Sequence, residues 1–359
     1  MGRYILQKIQ QSFWTLLGVM TTIFFLFNVL PGDPAQMMLG QNEDQAQLAI
    51  VKQKYGFDQP VWTQYLYYLN DLSPVSLHSN HSEDYTFLES HQYNYQPLFK
   101  TLNTTVVLKY PYLGTSFTKQ GKKVSEILKE TLPNTIILAV ASICVALALG
   151  LFLGVISALY KDHWVDKSIL VISTFGMSLP SFFSAILAAW IFGFVLHHYT
   201  GLEMTGSLYE LDDFGDVYQL QLKNLILPAL VLGIRPLAVV TQLMRNSLLE
   251  VFNQDYIRTA RAKGLSEFQV ISKHAMKNAL NPVVTAISGW FASLLAGAVF
   301  VEYIFAWNGL GKEIVNALNT LDLPVIMGAV LIIALTFVLI NIIVDIIYTY
   351  LDPKIMLNT

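Results

Sequence analysis

The sequence predicts an all-α membrane protein with about six transmembrane helices, on three observations: too little charge for a soluble surface, a series of long charge-free windows, and a lopsided placement of Lys and Arg between them. Hydrophobic residues make up 54% of the 359 residues and charged residues 13%, about half the charged share usual in soluble domains. A formal net charge of −3, with no basic stripe interleaved with aromatics, excludes a nucleic-acid binder. A single cysteine, Cys144, excludes an intrachain disulfide and a cysteine-based metal site.

The spans follow from the bilayer. A hydrocarbon core about 30 Å thick takes roughly 20 apolar residues as a helix, because an unpaired backbone group in lipid costs several kcal/mol. Charge-free windows run from Ile9 to Gly32, Thr131 to Tyr160, Ser168 to Leu202, Asn278 to Val301 and Leu323 to Val344, and a sixth, Asn224 to Met244, is broken only by Arg235. They place spans at about 10–30, 134–159, 168–198, 225–247, 282–302 and 325–349. The first resembles a signal peptide behind Arg3 and Lys8, but it is too long and ends in LPGDP rather than in a small-residue cleavage site, so a retained helix is expected.

Orientation follows from the short loops. With the N-terminus inside, the cytoplasmic pieces carry Arg3, Lys8, Lys161, Lys167, Arg245, Arg258, Arg261, Lys263, Lys273, Lys277 and Lys354, against Lys223 and Lys312 in the short outer loops. Both termini are then cytoplasmic. The expected organisation is a first helix at 1–30, an outward segment at 31–133, a five-helix core at 134–352 and a tail at 353–359. Within the outward segment, Ser73 to Tyr112 is rich in Tyr, Asn, Ser and His without an apolar period, and is expected to be an irregular insert. No internal repeat suggests an inverted-repeat carrier.

A cytoplasmic segment at about 248–281 is the most informative stretch. Ser247 to Lys263 reads as a helix with Val251, Phe252, Tyr256, Ile257 and Ala260 on one apolar face. Gly264 interrupts it, either for positive φ or to let another backbone approach. A second short helix capped by Ser266 carries Phe268, Ile271 and Ala275 on its apolar side before Asn281-Pro282. A basic loop alone follows from topology, but two amphipathic helices showing Arg258, Arg261 and Lys263 to water suggest a docking surface of the helix-in-groove kind.

DYIRTARAKGLSEFQVISKHAMKNALNPVV resembles the EAA loop of ABC-importer permeases, in the dipeptide, oligopeptide and nickel branch. LPNTIILAVASICVALALGLFLGVISAL, GMSLPSFF, NLILPALVLG, VEYIFAWNGLG, NIIVDIIYTYLDPKI, LPGDP and KYGFDQPVWTQYLYYL are similar to the same branch, over nearly the whole chain except Ser73 to Tyr112. The resemblance implies the ABC-importer permease fold in a bacterial cytoplasmic membrane. It implies half of a pore shared with a second homologous permease, two cytoplasmic ATPase subunits and an extracytoplasmic solute-binding protein. A coupling helix touching the ATPase would comprise Asp255, Tyr256, Arg258, Thr259, Ala260, Arg261, Ala262, Lys263 and Gly264. Peptides are the default substrate, with nickel or another small solute as alternatives.

The chain itself is expected to use no cofactor and perform no catalysis, with ATP bound by the partners. GTSFTKQGKK from Gly114 and GLGKE from Gly309 lack phosphate-loop spacing and context. Arg235, near mid-span and followed by Pro236, either lies on the translocation path facing a substrate carboxylate or is partnered by carbonyls, by Asp345 or by a second permease. His197-His198, His78, His81 and His91 read as interfacial or solvated rather than as a metal site. An ion-coupled carrier acting alone would need a relay of membrane-embedded acids, of which Asp345 is nearly the only candidate. An intramembrane protease would need a nucleophile or an aspartate pair that the sequence does not display.

Overall fold

The computed structural model describes residues 2–29, 35–36, 45–81, 84–88, 93–119, 121–212 and 216–351. LPGDP, His91 and the tail at 353–359 fall outside them. Among the described residues four helices are long and apolar enough to cross a membrane: within α1 (Gly2–Val29), α4 (Val124–Leu159), α8 (Lys223–Val251) and α14 (Leu323–Leu351). Two bent pairs bring the spans to as many as six. Trp164–Ser178 (α5) and Ser181–Val195 meet at 106°, the second half beginning as α6 (Ser181–Ala188) and continuing through a π-helical stretch, Ala189–Val195, to α7 (His197–Thr200); Asn281–Leu295 and Ala298–Ile304, within α12 (Asn281–Ile304), meet at 53°. The third span, expected to be continuous over 168–198, is therefore broken. Pro180 is the cause: it forces Leu179 to an extended ψ of 139° and starts a new helix at Ser181.

The chain divides into two compact units, Met1–Glu130 with Ile314–Leu335, and Thr131–Glu313 with Thr336–Thr359. In the first, α1 packs on α3 (Val61–Leu72) through aromatics, Phe24 against Tyr65 and Tyr68 and Phe25 against Trp62, with Thr21 hydrogen-bonded to the Tyr65 hydroxyl at 2.6 Å. A further helix, α2 (Gln45–Tyr55), precedes α3.

The stretch expected to be irregular, 73–112, instead carries a three-stranded antiparallel sheet: β1 (Val75–Ser79), β2 (Tyr95–Lys100) and β3 (Thr104–Lys109), in the order β1-β3-β2. Val75 pairs with Leu108 and Ser79 with Thr104, and a register shift sits between Pro97 and Phe99 on the edge strand β2, where a missing N–H is tolerated. β2 has no buried side chain, and those of β1 and β3 are Ser76, His78, Ser79, Thr105, Val107 and Lys109. Tyr93 closes that face, donating to Asp71 at 2.9 Å under the Lys109 ammonium, which lies 4.3 Å from the Tyr93 ring and 3.4 Å from Asp71. Burial raises the Asp71 carboxyl above its ordinary value and lowers both Lys109 and His78, the latter to about 4. In the same unit Asp322 accepts from the Ser116 and Thr118 hydroxyls and from the backbone N–H groups of Phe117 and Thr118.

In the second unit α4 and α8 lie close enough that a Cβ at Gly150 would come within 2.8 Å of Val240, and at Gly154 within 2.7 Å of Met244. This small-xxx-small spacing lets membrane helices approach closely. Leu138, Leu227, Leu232, Leu294 and Val301 build the apolar core with Phe305 and Trp307. A two-stranded hairpin, β4 (Tyr209–Leu211) with β5 (Tyr218–Leu220), joins the third span to α8.

Candidate functional site

The segment after α8 is a jointed pair of helices. Where one helix was expected from Ser247 to Lys263, α8 ends at Val251 and α9 (Asp255–Ala262) starts anew, because Gln254 turns to an extended conformation just ahead of it. Asp255 lies in its first turn and Arg261 in its last, each favourable to the helix dipole. Gly264 takes φ +77°, and its N–H bonds Arg261 O at 2.9 Å while Leu265 N–H reaches Ala260 O at 3.4 Å, the Schellman termination that wants glycine at this position. Ser266 then forms a capping box with Gln269 at the start of α10 (Glu267–Gln269). The helix widens to a π-helical stretch, Val270–Ala275, and continues as α11 (Met276–Ala279).

Ile257, Ala260, Val270, Ala275 and Ala279 bury their side chains against Met244, Leu248 and Val251 of α8 and Val283 of α12. The two short helices are thereby fixed on the spans. Of the nine coupling candidates, Ala260 is buried, while Asp255, Tyr256, Arg258, Thr259, Arg261, Ala262, Lys263 and Gly264 are exposed. Two residues assigned to the apolar face are not on it. Tyr256 is 40% exposed, its hydroxyl accepting from Asn278 at 2.7 Å, and Phe268 is 78% exposed. Val270 takes the inward place expected of Phe268. Arg261 bridges the joint, reaching Glu267 at 2.9 and 3.2 Å and stacking over Phe252.

Arg235 sits inside α8, exposed, beside buried Pro236. Among the described residues its guanidinium makes no hydrogen bond or ion pair. Asp345, weighed as its partner, lies outside the described side chains. Arg235 lines a cavity of about 40 Å³ with Leu179, Ser181, Ser184 and Trp290 at the break in the third span.

Two charged sites escape the reading of the sequence. Arg245, counted as a loop residue, lies in α8 and holds Asp166 of α5 bidentately at 2.6 and 2.7 Å, with Ser157 and the Asp162 N–H completing the carboxylate's shell. Glu302, fully buried near the end of α12, accepts from the N–H of Gly311 at 2.6 Å and of Lys312 at 3.3 Å. It thus caps the first turn of α13 (Leu310–Asn319), whose donating N–H groups belong to the GLGKE string. Asp166 in the first turn of α5 is a sequence signal for a favourable charge there, but its pairing with Arg245 and the place of Glu302 beneath α13 come from packing.

The profile described as "Binding-protein-dependent transport system inner membrane component" matches residues 150–357, and its N-terminal companion matches 1–139. The bounds of the second match enclose 73–112. The chain is 32% identical to the dipeptide transport system permease protein DppB of Alkalihalophilus pseudofirmus over 98% of each chain. It is 34% identical to a putative peptide permease protein of Brucella suis over 99% of each, and 30% identical to the probable D,D-dipeptide transport system permease protein DdpB of Escherichia coli over 97% of this chain and 96% of that one. A solved chain from inward-facing conformations of the MetNI methionine ABC transporter aligns at 17% identity and TM-score 0.49, covering 63% of this chain and 97% of that one. With both profiles and full-length relatives agreeing with its membrane-crossing helices, the chain belongs to the binding-protein-dependent transport system inner membrane component family, as a multi-pass inner-membrane permease subunit of an ATP-driven importer and not an enzyme.

Proposed function

We propose that this permease moves peptides, that its termini are cytoplasmic, and that it works beside a second homologous permease over two ATPase subunits, receiving substrate from an outer binding protein. The peptide reading is supported by the names of the relatives, none of which points to nickel. Asp255, Tyr256, Arg258, Thr259, Ala260, Arg261, Ala262, Lys263 and Gly264 form the coupling surface, and Arg235 lies on the translocation path.

The observation that carries the coupling role is the two-sided joint: Ile257, Ala260, Val270 and Ala275 anchor it to the spans while Tyr256, Arg258 and Phe268 stay exposed. An anchored lever with an aromatic and cationic outer face fits a groove on a partner. Gly264→Asp should insert normally yet abolish uptake, with weakened copurification of the ATPases or loss of the ATP hydrolysis that the binding protein stimulates. Normal uptake and association in that variant would refute the coupling assignment.

A further inference from the structure

The cavity at the break between α5 and α6 combines features that a merely structural void would lack. Arg235 brings a permanent positive charge to its wall from within a membrane-crossing helix. Such a charge is retained in membranes where it faces a counter-charge or water. No hydrogen bond or ion pair engages it among the described residues, and no Asp or Glu shares the cavity wall. Arg245, ten residues on in the same helix, shows what a standing counter-ion looks like here, and among the described residues Arg235 has no equivalent.

We propose that this cavity is a carboxylate site, in which Arg235 holds the C-terminal carboxylate of a peptide in transit. The proposal rests on the peptide-import reading and on the placement of Arg235 along the path. A guanidinium presents two parallel donors that match a carboxylate, where a lysine presents a point charge. Ser181 and Ser184 put hydroxyls on the same wall, and Trp290 an aromatic face. The size agrees: a water needs about 10–15 Å³ by this measure, so a cavity of about 40 Å³ accepts a group the size of a carboxylate while the remainder of the peptide stays outside. The break at Pro180 is what creates the cavity, because a straight third span would carry Ser181 and Ser184 past Arg235 along one continuous helix.

The test uses the complete transporter, reconstituted in proteoliposomes with its binding protein. ATP-dependent uptake of a neutral tripeptide and of its C-terminal amide is measured, and each rate is corrected for the isolated binding protein's affinity for that peptide. The wild type should favour the free acid more than tenfold. Arg235→Met should reduce this preference to within twofold, and Arg235→Lys should fall between. An unaltered acid-to-amide ratio in assembled Arg235→Met overturns the carboxylate site, and so does a wild type that takes up both peptides equally. A wild type that hydrolyses ATP but takes up neither peptide refutes the peptide-import reading itself, whatever Arg235 does. If Arg235→Met does not assemble, Ser184→Ala decides: a two- to threefold drop in the ratio upholds the site, and an unchanged ratio rejects it.

Discussion

Arg235 and Arg245 stand on one helix, ten residues apart, and their surroundings differ in every respect that matters to a charge in a membrane. Arg245 is 16% exposed and clamps an Asp166 side chain that is 2% exposed, with Ser157 and a backbone N–H satisfying the remaining lone pairs. Arg235 is exposed and lines a cavity with no acid among the described residues of its wall. A fully coordinated pair of this kind ties helices together and has nothing left over for a ligand. An uncoordinated guanidinium contributes little to the lone subunit and keeps its donors for something that arrives.

The largest effect should come from splitting the coordinated pair. Asp166→Ala leaves Arg245 desolvated without a counter-charge, a loss of about 3–5 kcal/mol for a buried pair with one partner removed. Thermal unfolding in detergent and the amount of protein reaching the membrane should both fall. Asp166→Leu with Arg245→Met should recover most of the loss, since an apolar pair of similar volume is often neutral. A single variant that melts like the wild type would remove the distinction between the two arginines.

A second buried charge cluster, outside the spans, makes the next prediction. His78 is enclosed by Ser76, the Thr86 carbonyl, the Tyr93 ring and the Lys109 charge, and its value is lowered to about 4. As pH falls below about 6.5, the unfolded chain takes up a proton on His78 while the folded chain refuses it until about pH 4, so stability is complete above that window and falls through it. Roughly 1–3 kcal/mol is at stake. Asp71, raised by burial, titrates in the opposite sense, so the comparison is with His78→Asn, which should flatten the acid-side decline. Hydrogen exchange over residues 75–79 and 104–109 between pH 4 and 7 reads it, and an equal decline in both proteins would exclude His78 as the cause.

Gly264 comes third. Among the described residues nothing lies within 4 Å of a Cβ placed there, so its φ of +77° is the local constraint they impose. Gly264→Val should cost roughly 1–2 kcal/mol of left-handed strain, and Gly264→Asn much less, because Asn tolerates that conformation. Uptake that survives in Asn but not in Val assigns the glycine to backbone geometry. Uptake lost equally in both assigns it to close approach by the ATPase.

These sites also differ in how far the sequence betrayed them. The spans were legible because a window without charge has few alternatives in lipid, and the joint was legible because Gly264 and Ser266 are termination and capping residues in the right order. The sheet at 75–109 was hidden: β2 buries nothing, and β1 and β3 bury Ser76, His78, Ser79, Thr105 and Lys109 alongside Val107, so a search for apolar period passes over it. The π-helical stretch that turns Val270 inward and leaves Phe268 outside shifts the face by a fraction of a turn, which a 3.6-residue period does not anticipate. The Asp166–Arg245 pair joins residues 79 apart in sequence, and only packing brings them together. Arg235 was visible as a charge inside a span, but its open side depends on the break at Pro180.

The smallest expected effect is the one that completes the comparison of the two arginines. Arg235→Met removes a charge with no partner among the described residues and leaves a flexible apolar chain beside Trp290, Leu232 and Leu294. Met adapts to irregular surroundings, and no group is orphaned by the change, so the purified subunit should melt within about 0.5 kcal/mol of the wild type, as substitutions away from packed or paired sites do. Asp166→Ala on the neighbouring helix, measured in the same detergent, is the internal standard for what a lost partner does. A drop in Arg235→Met approaching that of Asp166→Ala would mean that the guanidinium is tied down within the protein after all, by a group such as Asp345, and a charge already neutralised has no reason to wait for a carboxylate.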